Sequence, residues 1–160
     1  MKALLDLPEG HAKALQRLLV LIPAQLDWAL TGSAGVRLQG VDVPVHDLDI
    51  ESHPAGVDEI AHLFAACIRT RPHWRESDHL RSHFGVLEVA GIQVELMGDI
   101  QHRMPDGNWS PVADIPALRH WLAWQGRQIP VLGLAYEAQA YEELGRTEKA
   151  ALIREVLCLK

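Results

Sequence analysis

The chain has 160 residues, enough to bury a core and short enough for a single domain spanning 1–160. Its 15 Lys and Arg against 21 Asp and Glu leave a net charge of −6. That balance argues against non-specific nucleic-acid binding, because neutralising phosphates takes clustered cations. No apolar run approaches the ~20 residues of a bilayer span. The N-terminus shows no basic region followed by an apolar run and a cleavage site, so a soluble cytoplasmic protein is expected, with no membrane partner. Cys67 and Cys158 sit in apolar helical patterns and form no C-x-x-C pair, which predicts buried thiols of a reduced compartment.

Residues 8–22 place Ala12, Leu15, Leu18, Leu19 and Ile22 at helical spacing, with Pro8 near the start and Pro23 as the stop. A short strand, Asp27–Thr31, then runs into a Gly32-Ser33 turn. Ala34–Gln39 predicts a helix kept short by Gly35 and Gly40. The next strand, Asp47–Ile50, carries the first chemical signal. Residues two apart on a strand share a face, so Asp47 and Asp49 project together while Leu48 and Ile50 point to a core. Two adjacent carboxylates repel each other and call for a compensating cation. Carboxylate oxygens suit a hard divalent ion such as Mg²⁺.

Beyond them, residues 51–56 read as a turn and 57–70 as a helix presenting Ile60, Leu63, Phe64, Cys67 and Ile68. The segment 69–83 reads as a polar loop bearing Arg69, Arg71, Arg75 and Arg81 among His73, His79 and His83. His79 and His83, four apart, could share a helix face as zinc ligands do. Residues 83–98 have the alternation of a hairpin turning at Ala90-Gly91. That register sets Val89 opposite Ile92, Leu87 opposite Val94 and Val86 opposite Glu95. Glu88, Gln93 and Glu95 then share the polar face. Residues 99–116 read as a loop with a short strand at 109–112. A second hairpin turns near Gln125-Gly126, and its Pro130 predicts an edge strand. Two helices broken at Gly145 complete the chain, with Thr147 as cap and Glu137, Glu142 and Glu143 as a solvated face. Trp109, Trp121 and Trp124 read as packing residues. The order predicts an α/β (α+β) domain on a small mixed sheet flanked by helices, with a core over about 8–115 and a hairpin and helical tail over about 116–160.

Gly32-Ser33, thirteen intervening residues, Asp47-Leu48-Asp49 and an acid on a later strand together resemble the DNA polymerase beta nucleotidyltransferase superfamily. Within it the chain is similar to small bacterial members: the lincosamide and aminoglycoside nucleotidyltransferases and the minimal partners of toxin–antitoxin pairs. The resemblance implies a nucleotidyltransferase fold with a helical C-terminal tail. It implies an NTP (ATP among them) bound with Mg²⁺ or Mn²⁺, and transfer of its NMP to a hydroxyl of a small-molecule or protein acceptor. Asp47 and Asp49 are then metal ligands, and Glu95 the third carboxylate, a ligand or the base. Glu88 is the competing choice for that third position. Gly32, Ser33 and Arg81 would hold the triphosphate. The chain has no large C-terminal domain to hold an acceptor, which leaves a homodimer partner, another protein or a non-catalytic, antitoxin-like binding module as alternatives.

Overall fold

The structure, a computed structural model, describes residues 5–159. Seven strands form one mixed sheet in the order β3-β4-β5-β2-β1-β7-β6. They are β1 (Ala29–Thr31), β2 (Leu48–Ser52), β3 (Ile68–Glu76), β4 (Leu80–Val89), β5 (Ile92–His102), β6 (Arg119–Trp124) and β7 (Arg127–Leu132). The helices are α1 (Glu9–Leu21), α2 (Gly32–Leu38), α3 (Pro54–Leu63), α4 (Ile115–Leu118), α5 (Leu134–Glu143) and α6 (Thr147–Cys158). The mixed sheet flanked by helices and the helical C-terminal tail are therefore as expected.

Alternation along the strands decides the layering. Leu30, Leu48, Ile50, Leu87, Val94, Leu96, Ile129 and Val131 all point to one face. There they meet Leu15 and Leu18 of α1 and Val57 and Ile60 of α3 in the main core. Each such buried aliphatic side chain contributes about 1.5–3 kcal/mol relative to exposure. The opposite face is covered only in part. Tyr136 of α5 packs with Ala29, Ala113, Ile115 and Leu132. Farther out, α5 and α6 pack on Val36, Val41 and Val43 beside α2.

The α5–α6 corner follows from one residue. Gly145 takes φ +81°. The Gly145 N–H then bonds the Glu142 carbonyl and the Arg146 N–H the Tyr141 carbonyl, at 2.9 and 2.8 Å. This is the paired closure that a left-handed glycine makes possible after a helix. Arg146 is the residue that precedes α6, and Thr147 is its first helical residue rather than its cap.

The structure corrects several expectations. β2 continues to Ser52, so the predicted turn at 51–56 is the end of a strand and the start of α3. The predicted helix 57–70 stops at Leu63, and after a 3₁₀ turn at Ala65–Cys67 the chain extends into β3. The supposed polar loop 69–83 is thus the edge of the sheet. Charged side chains on an edge strand discourage pairing with another chain, and the β3–β4 register shifts between Thr70 and His73, at Pro72. The first hairpin is longer than predicted but has the predicted register, with Val86 opposite Glu95. In place of a strand at 109–112 there is a single bridge between Arg103 and Trp109. Pro130 lies on interior strand β7, not on an edge. The β1–β7 ladder is so short, recorded at Leu30↔Val131, that the missing N–H interrupts little of it. Cys158 is exposed and Cys67 only partly buried, both free thiols. Among the described residues no helix is long and apolar enough to cross a membrane.

Candidate active site

Two adjacent strands, β2 and β5, carry the predicted carboxylates, and β1 flanks them. In the parallel β2–β5 ladder Asp49 pairs with Glu95, and in the antiparallel β1–β2 ladder Asp49 pairs with Thr31. Directly paired residues share a face, so Thr31, Asp49 and Glu95 form a row across the half-covered face. Asp47 sits just before β2, two residues from Asp49. The Gln93 side-chain amide donates to both Asp47 Oδ2 and Glu95 Oε1 at 3.3 Å, which places those two carboxylates around one nitrogen. The Glu95 carboxylate lies near enough to Asp49 to make it harder to ionise. Glu88, the competing acid, is exposed on β4 and taken by Arg69 at 2.7 Å.

The Gly-Ser turn closes over the row. Gly32 has φ +67°, and a Cβ built on it would stand 2.4 Å from Asp49 Oδ2. Glycine is required both for the left-handed backbone and for that approach. The next residue, Ser33, accepts a hydrogen bond at 2.6 Å from Lys149 Nζ of α6. The C-terminal helix therefore delivers a cation to the turn. Nothing in the sequence pattern around Lys149 signals this.

Two further acids belong to the site. Glu51 extends the alternation 47, 49, 51 and is buried, 7% exposed. It was within reach of sequence reasoning, had the strand been carried past Ile50. Glu137, expected on a solvated face, is 3% exposed. Its carboxylate accepts from the Thr31 hydroxyl and the Gly32 N–H, so α5 anchors the turn from below.

Crowding acids in a low-dielectric place disfavours their charged forms. Burial, followed by the Glu95 and Asp47 carboxylates, raises Asp49 to about 7. Burial, then Glu137 and Asp49, raises Glu51 to about 8. Burial also raises Glu137 to about 7, against the opposing pull of its Thr31 and Gly32 hydrogen bonds. Lys149 is lowered, by burial first and Arg146 second, against Glu137 and Asp49. All three acids are raised above their ordinary values of 3.8 or 4.5. The stability they contribute is then fully present below those ordinary values and is lost as pH rises through about 7 to 8. In a chelator, the melting temperature is expected to fall by about 5 °C between pH 5.5 and 8.5, by the stability-to-Tm scaling of a protein this size. Added Mg²⁺ should restore more of it at pH 8.5 than at pH 5.5. A flat profile, or equal Mg²⁺ effects at both pH values, would count against an electrostatically crowded site.

The donor set suits a hard divalent cation. Asp47, Asp49 and Glu95 offer only carboxylate oxygens, and the repulsion raising Asp49 is what such an ion would relieve. Among the described residues no three His, Cys, Asp or Glu side chains stand close enough together to hold a metal ion, so Asp47, Asp49 and Glu95 would have to draw in around one. His79 and His83 lie in and beside β4, not on a helix, and His83 Nε2 meets Asp58 at 2.7 Å. Arg81 is on the far flank. It bonds Gln101 at 2.9 Å, lies 3.7 Å from Glu76 and covers the Trp109 ring at 4.4 Å. With Glu95 it lines a groove of about 460 Å³.

Comparison with known proteins bears on the family and the fold. The aminoglycoside-2″-adenylyltransferase family model matches residues 15–155. A crystal structure of a Thermotoga maritima protein, provisionally assigned as a nucleotidyltransferase, is 36% identical, covers 98% of each chain and superposes with a TM-score of 0.83. The lincosamide antibiotic adenylyltransferase LnuA, solved with lincomycin bound, is 14% identical over 92% of this chain and 99% of its own. Its TM-score of 0.55 speaks for the fold alone. No curated protein matches the chain. A family match over nearly the whole length, with a 36% identical neighbour covered to 98%, makes the chain a nucleotidyltransferase that belongs to the aminoglycoside-2″-adenylyltransferase family.

Proposed function

We propose that the chain transfers a nucleoside monophosphate from an NTP, ATP among the candidates, to a hydroxyl of a small-molecule acceptor, with Mg²⁺ or Mn²⁺ held by Asp47, Asp49 and Glu95. The observation that carries this reading is the direct Asp49–Glu95 pairing beside Gly32. The acceptor oxygen forms a bond to the α-phosphorus, the bond from that phosphorus to the β-bridging oxygen breaks, and pyrophosphate leaves with the electron pair. A bound divalent ion supplies charge stabilisation at the reacting phosphate. Glu95, at the end of the groove, accepts the hydroxyl proton or shares in holding the metal. Gly32 and Ser33 take the β- and γ-phosphates, with Lys149 as their cation. In this reading Arg81 approaches from the opposite flank, with the acceptor.

Lys149→Met is expected to raise KM for the NTP by about 10-fold or more, the value of one charge-assisted contact of about 1.5–3 kcal/mol. An unchanged KM in steady-state kinetics would remove Lys149 from this role. The reading as a whole is tested by incubating the protein with Mg²⁺ and each NTP labelled at the α-phosphate, in the presence of hydroxylated small molecules. Labelled product and stoichiometric pyrophosphate are expected. Absence of nucleotide binding at millimolar Mg²⁺ would leave a non-catalytic partner module as the better description.

A further inference from the structure

A groove opens beside Glu95 on the half-covered face of the sheet. The groove that ends at Glu95 runs over β4 and β5 toward the β3 edge, and its floor is Phe84 and Met97. Phe84 pairs with Met97, two residues beyond Glu95 on β5, so floor and acid share one face. Arg75 of β3 lays its guanidinium over the Phe84 ring, 3.6 Å from the centroid. Among the described residues Arg69 is neutralised by Glu88 and Arg81 lies near Glu76, whereas Arg75 has no carboxylate partner. A guanidinium held flat on a ring keeps its N–H edge free for a carboxylate or phosphate, which it binds with two parallel hydrogen bonds.

The sheet order places this groove where the reaction needs it. Lys149 and Ser33 lie on the β1 side of Asp49, and the groove on the β4 side. Strands β1 and β4 are three spacings apart, about 14 Å. In-line displacement requires the attacking hydroxyl and the departing pyrophosphate on opposite sides of the α-phosphorus. A triphosphate on the Ser33 flank leaves the groove for the acceptor.

We propose that the acceptor is a small hydroxylated anion, bound in this groove with its carboxylate or phosphate on Arg75 and its hydroxyl at Glu95. This rests on the nucleotidyltransferase reading above. The groove also carries the acids Glu76 and Glu95, with Glu76 facing Arg81, so the preference for an anion over a polycationic aminoglycoside rests on Arg75 alone. From Phe84 to the level of Glu95 is two strand residues, about 7 Å, which sets the separation of anion and reacting hydroxyl.

The test measures binding without nucleotide, so that it does not depend on transfer. Calorimetry with glucose 6-phosphate, gluconate, glucose and kanamycin is expected to show one of the two anions binding at least 10-fold tighter than glucose and kanamycin. Arg75→Glu should abolish that binding with an unchanged melting temperature, Arg75→Ala should weaken it, and Arg127→Glu, a charge-matched change far from the groove, should leave it intact. Adding Mg²⁺ and NTP, the favoured anion should stimulate pyrophosphate release, and Arg75→Glu should remove the stimulation. Kanamycin binding best, neither anion binding, or binding indifferent to Arg75→Glu would overturn the assignment. Nucleotide turnover with no preference for anions would overturn it while leaving the nucleotidyltransferase reading standing. Anion binding lost in Arg75→Glu without any nucleotide binding would support the groove and sink the transferase reading.

Discussion

Asp49→Asn is expected to lower nucleotidyl transfer by about 1,000-fold or more and at the same time to raise the melting temperature of the metal-free protein at pH 8. The two effects have one cause. Asp49 is the centre of the carboxylate row, paired with Glu95 on β5 and Thr31 on β1, and closest to the Gly-Ser turn. Losing a metal-binding charge there removes several kcal/mol of transition-state stabilisation, and each 1.36 kcal/mol is a factor of ten in rate. The same charge is held against burial and two neighbouring acids, which raise its carboxyl to about 7. Above that pH a neutral amide of the same shape relieves repulsion on the order of 1–2 kcal/mol. Thermal melts in a chelator at pH 8, with product assays on the same preparation, check both halves. A variant that loses both activity and stability would show Asp49 to be a structural ligand of the turn rather than a crowded functional acid.

Gly32→Ala is expected to damage both activity and stability. A non-glycine residue at φ +67° costs about 1–2 kcal/mol by itself. The added Cβ would lie 2.4 Å from Asp49 Oδ2, so either the turn or the carboxylate must move. The turn is fastened by the Gly32 N–H and the Thr31 hydroxyl to buried Glu137, so the carboxylate is the part that yields. Activity should fall by about 100-fold or more, as expected when a reacting group is displaced by about 1 Å. Stability should fall by about 2 kcal/mol, measured by urea unfolding. Full activity in Gly32→Ala would show that Asp49 need not hold its position.

Much of the site was legible because strands have a period of two. The D-L-D triplet and the Ala90-Gly91 turn put Asp49 and Glu95 on polar faces before any fold was known, and the observed pairing keeps them there. Ending β2 at Ile50 cost the reading Glu51, because turn-forming Pro54 and Gly56 obscured two more strand residues. The misread helix 57–70 has a similar origin. Its apolar residues fit a helical face as far as Phe64, and Cys67 and Ile68 reach the same core from the 3₁₀ turn and from the first residue of β3. Pro72 then looked like a helix stop, whereas it stands at an irregularity of an edge strand. Glu137 and Lys149 were beyond sequence reasoning. Their roles depend on how α5 and α6 dock against the turn over a separation of about a hundred residues, and neither residue sits in a pattern that local periodicity can read.

The central claim is that β2, β5 and the Gly-Ser turn make one metal and nucleotide site. It is tested most directly by paramagnetic broadening of backbone amide signals on titrating Mn²⁺ into the protein with a non-hydrolysable NTP analogue. The account predicts selective loss of the signals of Gly32, Ser33, Leu48, Asp49 and Glu95 at substoichiometric Mn²⁺, and its disappearance in Asp49→Asn. Broadening centred elsewhere, or unchanged by that substitution, would contradict it.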